Sequence, residues 1–186
     1  MMTQSEFYTL FEEKGIVRRG HFLRSSGRHT DFFVQCARLF EDAALAQSVC
    51  HSLSEQCREF NAQMVMSAAI GGILPGYEVS RALKLPYIYC ERKDGAMTLR
   101  RGFSIEQKQR VLIVEDEITT GASVREMMEI VRALGGETAG IGCLVDKTGG
   151  HVTLPAPFSK LVTLDIHSWR EGACPKCREG EELTRL

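Results

Sequence analysis

The sequence predicts an α/β fold, a mostly parallel central sheet flanked by helices, with a small N-terminal hood subdomain. Three observations lead there. Val111–Val114 is a short, wholly apolar, β-branched run, the pattern of a strand buried on both faces. Strand-like and helical segments alternate through residues 62–166, the order that builds parallel sheets. Three polar or glycine-containing segments, Ser67–Gly72, Glu115–Ser123 and Asp146–Lys147, fall just after strands. Ligands in such sheets sit at the strands' carboxyl ends.

Taken in order, Ser5–Glu13 reads as a helix with Ser5 as N-cap and Phe7, Leu10 and Phe11 as its apolar face. Within Phe22–Val34, the string SSGRHTDFF is a turn running into an aromatic strand. Asp42–Phe60 is a second helix, with Leu45, Val49, Leu53 and Cys57 at helical spacing. Met64–Met66 is a short strand, and Pro75–Leu83 is helical. Tyr87–Cys90 is another strand. Glu91–Gln109, polar, basic and without periodicity, reads as a long mobile loop.

Val111–Val114 leads through a Thr/Gly loop into a helix marked by Val124, Met127, Met128 and Val131, which Gly135-Gly136 ends. Ala139–Val145, ending at Asp146-Lys147, and Leu161–Ile166 are the last strands. One domain is expected: residues 1–60 as hood, 61–166 as core and 167–186 as tail.

Composition narrows the function classes. The 186 residues are 44% hydrophobic and 25% charged, enough for one sizeable core. A net charge of −1 gives no electrostatic case for nucleic acid. No apolar stretch approaches the roughly 18 residues of a membrane span. The N-terminus is polar and acidic, unlike a signal peptide. Seven scattered cysteines suit reduced thiols in the cytoplasm. Cys174 and Cys177 form one C-x-x-C without a second pair. With His167 they offer three ligands at a spacing that matches no standard zinc finger, so no structural metal is expected.

The chemistry concentrates in RVLIVEDEITTG, residues 110–121. Backbone N–H groups at a helix N-terminus favour an anion. Thr119, Thr120 and Ser123 add hydroxyl donors, and Gly121 lets the backbone approach closely. Glu115 and Asp116 repel phosphate, and make sense facing sugar hydroxyls or a hydrated Mg²⁺. The small turn with Gly71 and Gly72 offers a second anion cradle, for a pyrophosphate. Arg92-Lys93 and Arg100-Arg101 bracket the expected loop and suit closure over such a group. Phe32 or Phe33 offers one wall for a flat ring, strand alternation turning only one of them inward. His29 reads as a surface residue.

The string 111–121 resembles the phosphoribosyl-pyrophosphate (PRPP) signature of type I phosphoribosyltransferases: a hydrophobic run, two acids, two variable positions, then Thr-Thr-Gly. With SGRHTDFF, AAIGGILPGYEVSRALKLPYIYCERKDG and the segment from 111 to 150 in the same order, the resemblance covers most of the chain and points to the orotate branch. The Cys-Pro-x-Cys tail is also similar to endings in that family.

The resemblance implies that Glu115 and Asp116 hold the ribose hydroxyls and, with Arg100 or Arg101 standing in for a loop lysine, form the catalytic set. It places PRPP on Glu117, Ile118, Thr119, Thr120, Gly121, Ala122 and Ser123, with 119–123 on the 5-phosphate. Arg92 and Lys93 meet the pyrophosphate beside Gly71 and Gly72. Thr119, Lys147, Phe33 and Ser25 line the orotate site. Mg²⁺ is carried by PRPP, with no direct protein ligand. Implied partners are PRPP, orotate and a second copy of the chain, without nucleic acid or membrane.

Three positions depart from the family pattern. Ser25 stands where Lys is common, with Arg24 one residue earlier. Lys147 replaces the Arg that pairs with the orotate carboxylate, keeping the charge but losing the bidentate fork. The loop lacks a histidine. These departures leave open a phosphoribosyltransferase for another base, or a PRPP- or nucleotide-sensing regulator with the same fold.

Overall fold

The structure, a computed structural model, describes residues 2–185. Its central sheet has six strands: β3 (Met64–Ala68), β4 (Tyr87–Lys93), β5 (Ala96–Leu99), β6 (Arg110–Ile118), β7 (Glu137–Asp146) and β8 (Phe158–Thr163). Their order is β5-β4-β3-β6-β7-β8, and all run parallel except the edge strand β5. Helices α1 (Gln4–Glu13), α2 (Ala43–Cys57), α3 (Ile73–Leu83) and α4 (Ala122–Ala133) cover it.

The apolar run of β6 explains the layering. Leu112 and Val114 pack in one core with Val49 and Leu53 of α2 and Val79 of α3. Val111 and Ile113 pack in the other with Met127 and Val131 of α4. Period-two alternation sends neighbouring side chains to opposite faces, and helices cover both. Each such burial contributes on the order of 1.5–3 kcal/mol relative to exposure.

Several boundaries differ from expectation. Thr3, not Ser5, caps α1: its hydroxyl accepts from Glu6 N–H at 3.3 Å, and Glu6 accepts from Thr3 N–H at 2.7 Å. That reciprocal pair is a capping box, and Glu6 sets its position. The last strand starts at Phe158, because β8 registers on Ile141 of β7. The segment from Glu91 is not a long mobile loop. β4 continues to Lys93, turns through Asp94 and Gly95 at φ 53° and 86°, and returns as β5. Asp-Gly is the two-residue hairpin signal, hidden here by polar composition. Beyond that two-residue turn, the part of the segment without helix or strand is residues 100–109.

A second sheet, β10-β1-β2-β9, joins the two ends of the chain. β1 (Val17–Leu23) and β2 (His29–Val34) form an antiparallel hairpin. β9 (Ser168–Trp169) pairs with β2, and β10 (Thr184–Arg185) pairs with β1. The hood thus draws on residues 168–185 as well as the N-terminal segment. α2 sits on the core instead, because its Ala46, Val49, Leu53 and Cys57 face is buried against β7 and β8. All seven cysteines are free thiols. Among the described residues, no helix is long and apolar enough to cross a membrane.

Candidate active site

β6 delivers Glu115, Asp116 and Glu117 at its carboxyl end, and Gly121, at φ 74°, turns the chain into α4. Glu115 is 5% exposed. Burial, helped by the neighbouring Asp116 and Glu117 charges, pushes its carboxyl from the ordinary 4.5 up to about 8. Asp116 is raised too, by burial and then by Glu117, although the Glu117 N–H donates to its Oδ1 at 2.9 Å. Among the described residues neither carboxylate joins an ion pair; the nearby Lys147 is taken by Glu117. Carboxyl oxygens without an ion-pair partner fit a diol, or a hydrated Mg²⁺, whose oxygen-ligand preference they match.

The turn after β3 faces the pair. A Cβ on Gly72 would come within 2.9 Å of Glu115 Oε2 and 2.8 Å of the Ala68 carbonyl, and one on Gly71 would collide with the Asp116 carboxylate. Glycine is therefore what lets this backbone and the acids share the space. Together with Arg92 and Ser123 they line a cavity of about 300 Å³. Arg92 is steadied there by the Gly95 carbonyl at 2.8 Å and Glu126 at 3.0 Å.

Residues Thr119–Ser123 wrap a smaller cavity of about 60 Å³. α4 begins there with no side-chain cap at Gly121; Ala122 N–H donates to Thr120 Oγ1 at 3.3 Å, and the next first-turn N–H groups, of Ser123 and Val124, remain for an anion. A third cavity, of about 280 Å³, is lined by Arg24, Ser25, Phe32, Phe33, Glu117 and Lys147. Lys147 Nζ lies 3.2 Å from Glu117 Oε2. Glu117 lines all three cavities.

The structure thus gathers Glu115 to Ser123, Gly71, Gly72 and Arg92 around two joined cavities, and Ser25, Phe33 and Lys147 around the third. Thr119 lines the acidic and phosphate-sized cavities rather than the third. Lys93 follows Arg92 on the strand, so it projects to the opposite face and does not line the cavity. Arg100 and Arg101 also lie off it, both bonded to Glu91, at 3.1 and 2.9 Å. Both Phe32 and Phe33 reach the third cavity, against the one-ring expectation. β9 pairs with β2 only at His29 and Thr30, so beyond Thr30 the strand edge is open and rings from both faces border it.

Arg24 is a lining cation that the sequence reading did not assign; its place beside Ser25 in the turn was the available signal. His29, expected at the surface, is 2% exposed. His167, the expected neighbour of the tail cysteines, instead donates its backbone N–H to Asp31 at 3.0 Å and stacks on Trp169.

A family model of the phosphoribosyl transferase domain matches residues 38–174. The orotate phosphoribosyltransferase of Caldanaerobacter subterraneus is 40% identical over 184 residues, covering 99% of this chain and 97% of its own. That of Pelotomaculum thermopropionicum is 43% identical over 179 residues, covering 96% and 94%. The crystal structure of orotate phosphoribosyltransferase from Aeropyrum pernix superposes with a TM-score of 0.69 at 23% identity, over 84% of this chain and 92% of that one.

Proposed function

The chain belongs to the phosphoribosyl transferase family, and from that premise we propose that it transfers the 5-phosphoribosyl group of PRPP to orotate, giving orotidine 5′-monophosphate and pyrophosphate. The observation that carries this reading is the shared wall at Glu117. A phosphate-sized pocket, an acidic cavity and a cation-bearing aromatic cavity are all bordered by that one side chain. These are the separate needs of a sugar 5-phosphate, a ribose bearing pyrophosphate, and a flat anionic base.

In this reading the amides and hydroxyls of Thr119–Ser123 hold the 5-phosphate, which fixes the sugar's position. Glu115 and Asp116 hold the ribose hydroxyls. The C1–oxygen bond breaks, pyrophosphate leaves with the electron pair, and a ring nitrogen of the base forms the new bond to C1. Positive charge develops on the sugar meanwhile, and the two carboxylates, ionised once the substrate is bound, stabilise it. Arg92 and the Gly71–Gly72 backbone receive the leaving group's charge. Mg²⁺ carried by PRPP would neutralise the pyrophosphate as it departs. Lys147 and Arg24 meet the base carboxylate.

A homodimer belongs to the same reading. Leu74 and Tyr77, on one face of α3, and Ile70, in the turn just before it, are 50%, 52% and 87% exposed beside the acidic cavity. The free thiols suit the cytoplasm.

A second reading, a base without a carboxylate, is favoured by one observation: Glu117 already pairs with Lys147. Ultraviolet absorbance of orotate, followed with purified protein, PRPP and Mg²⁺, separates the two. PRPP-dependent loss of the signal is expected. No loss, with PRPP binding intact, would transfer the assignment to another base.

A further inference from the structure

Away from the three cavities, the hood brings together four side chains that the reaction does not use. They are His21 of β1, His29 of β2, and Cys174 and Cys177 of the tail, whose ligand atoms all lie within 4.8 Å of one another. We propose that these four residues bind one Zn²⁺, which staples the C-terminal tail across the N-terminal hairpin.

The geometry is that of a tetrahedral site. His21 Nε2 is 3.4 Å from Cys174 Sγ and 3.6 Å from Cys177 Sγ, and His29 Nδ1 is 3.2 Å from Cys177 Sγ. Zn–S bonds near 2.3 Å and Zn–N bonds near 2.0 Å define nitrogen–sulfur edges of about 3.6 Å. The two ring nitrogens are 2.9 Å apart, and the ion needs them to part slightly. His21 carries the outer support expected of a zinc ligand: its other nitrogen, Nδ1, lies 3.0 Å from the Glu181 carbonyl, which fixes the tautomer. Two thiolates and two imidazoles, with no carboxylate, select zinc over magnesium or calcium. Four protein ligands leave no open position, so the site is structural.

The chain folds to make this cluster. A bulge between Arg19 and Phe22 places two residues of β1 against one of β2. With Leu23 paired to His29, residues 21 and 29 then share one face of the hairpin. β9 pairs at one edge of the hairpin and β10 at the other, so the Cys174–Cys177 turn crosses that face between them. Neither hydrophobic core includes a residue beyond Ile166. Past β9, Cys174 is the only buried apolar residue among the described residues. Apolar burial therefore does not hold this strap, and a metal can, as in other small folds.

No local spacing reveals the site, because both histidines lie in the hairpin, far upstream of the two cysteines. The hairpin turn also carries Arg24 and Ser25 into the base cavity, so the metal would brace one of its walls.

The test uses the full chain, purified with reductant and dialysed against zinc-free buffer. Elemental analysis should find about one zinc per chain, and X-ray absorption two sulfur and two nitrogen neighbours. Co²⁺ added alone to metal-stripped protein should give the absorption of tetrahedral thiolate-bound cobalt. Cys177→Ser and His29→Gln should each lose stoichiometric metal and open the tail to proteolysis between residues 170 and 183, while Cys143→Ser, buried in the core, keeps both. Wild-type protein that holds no zinc and gives no cobalt spectrum would overturn the proposal. So would metal that survives both ligand substitutions, or a Cys174–Cys177 disulfide in protein isolated without reductant.

Discussion

The Lys147 ammonium lies 3.2 Å from the Glu117 carboxylate, bridging the carboxyl ends of β7 and β6 at the wall shared by the aromatic and acidic cavities. Their side chains keep 13% and 31% of their exposure, so water screens the pair only in part. An incoming carboxylate must share this ammonium with Glu117. Lysine can do so, because its three rotatable donors serve two acceptors.

Lys147→Ala should therefore raise KM for orotate by about 10–100-fold, the worth of a charge-assisted hydrogen bond of about 1.5–3 kcal/mol. KM for PRPP should change far less. Steady-state kinetics with each substrate varied in turn checks this, and equal effects on both would remove Lys147 from the base site.

Glu115→Gln should separate stability from activity. The Glu115 carboxyl titrates near 4.5 when unfolded and at about 8 when folded, so between these values the folded protein binds the extra proton. Stability then falls as pH rises through that window, and nothing further is lost above it. The substitution removes this dependence. The ligand-free variant should have a higher Tm than the parent at pH 8, the gain fading by pH 4.5, while turnover is lost. A gain that is independent of pH would show that the buried carboxyl is not its source.

Asp116→Asn keeps the shape and removes the charge beside Gly71. We expect kcat to fall roughly 10²–10³-fold, as when other groups that stabilise transition-state charge are removed, with unchanged circular dichroism. Near-normal turnover would refute the ribose-clamp assignment.

Arg100 and Arg101 share Glu91 in exposed ion pairs, which water screens and which release easily. If residues 100–109 close over the leaving group, Arg100→Ala with Arg101→Ala should lower kcat at least tenfold and leave Tm nearly unchanged. Unaltered kcat would confine both residues to the surface.

Local patterns in the sequence carried most of the core. The apolar run of β6 and the spacing of Val124, Met127 and Val131 are short-range signals, and the structure places them as expected. The acids and the Thr-Thr-Gly loop were legible because one unbroken stretch, Glu115 to Gly121, delivers them. What stayed hidden depends on distant pairing. No local signal says that Ser168 and Thr184 flank the N-terminal hairpin, or that His21 and His29 turn inward beneath the tail. Asp94-Gly95 was a local signal, and charge-rich neighbours outweighed it.

The shared hood sheet also sets a timetable for biosynthesis. Phe22 is made long before its strand partner Thr184. The α/β core can assemble on nearby contacts while translation continues, but the β2 edge stays bare until Ser168 and Trp169 emerge, and the β1 edge until Thr184 and Arg185 do. Unpaired strand edges invite wrong partners. A ribosome stalled short of residue 168 would thus yield a chain with a formed phosphate loop, an unfinished base pocket and two sticky edges, a plausible substrate for quality control rather than a weak enzyme.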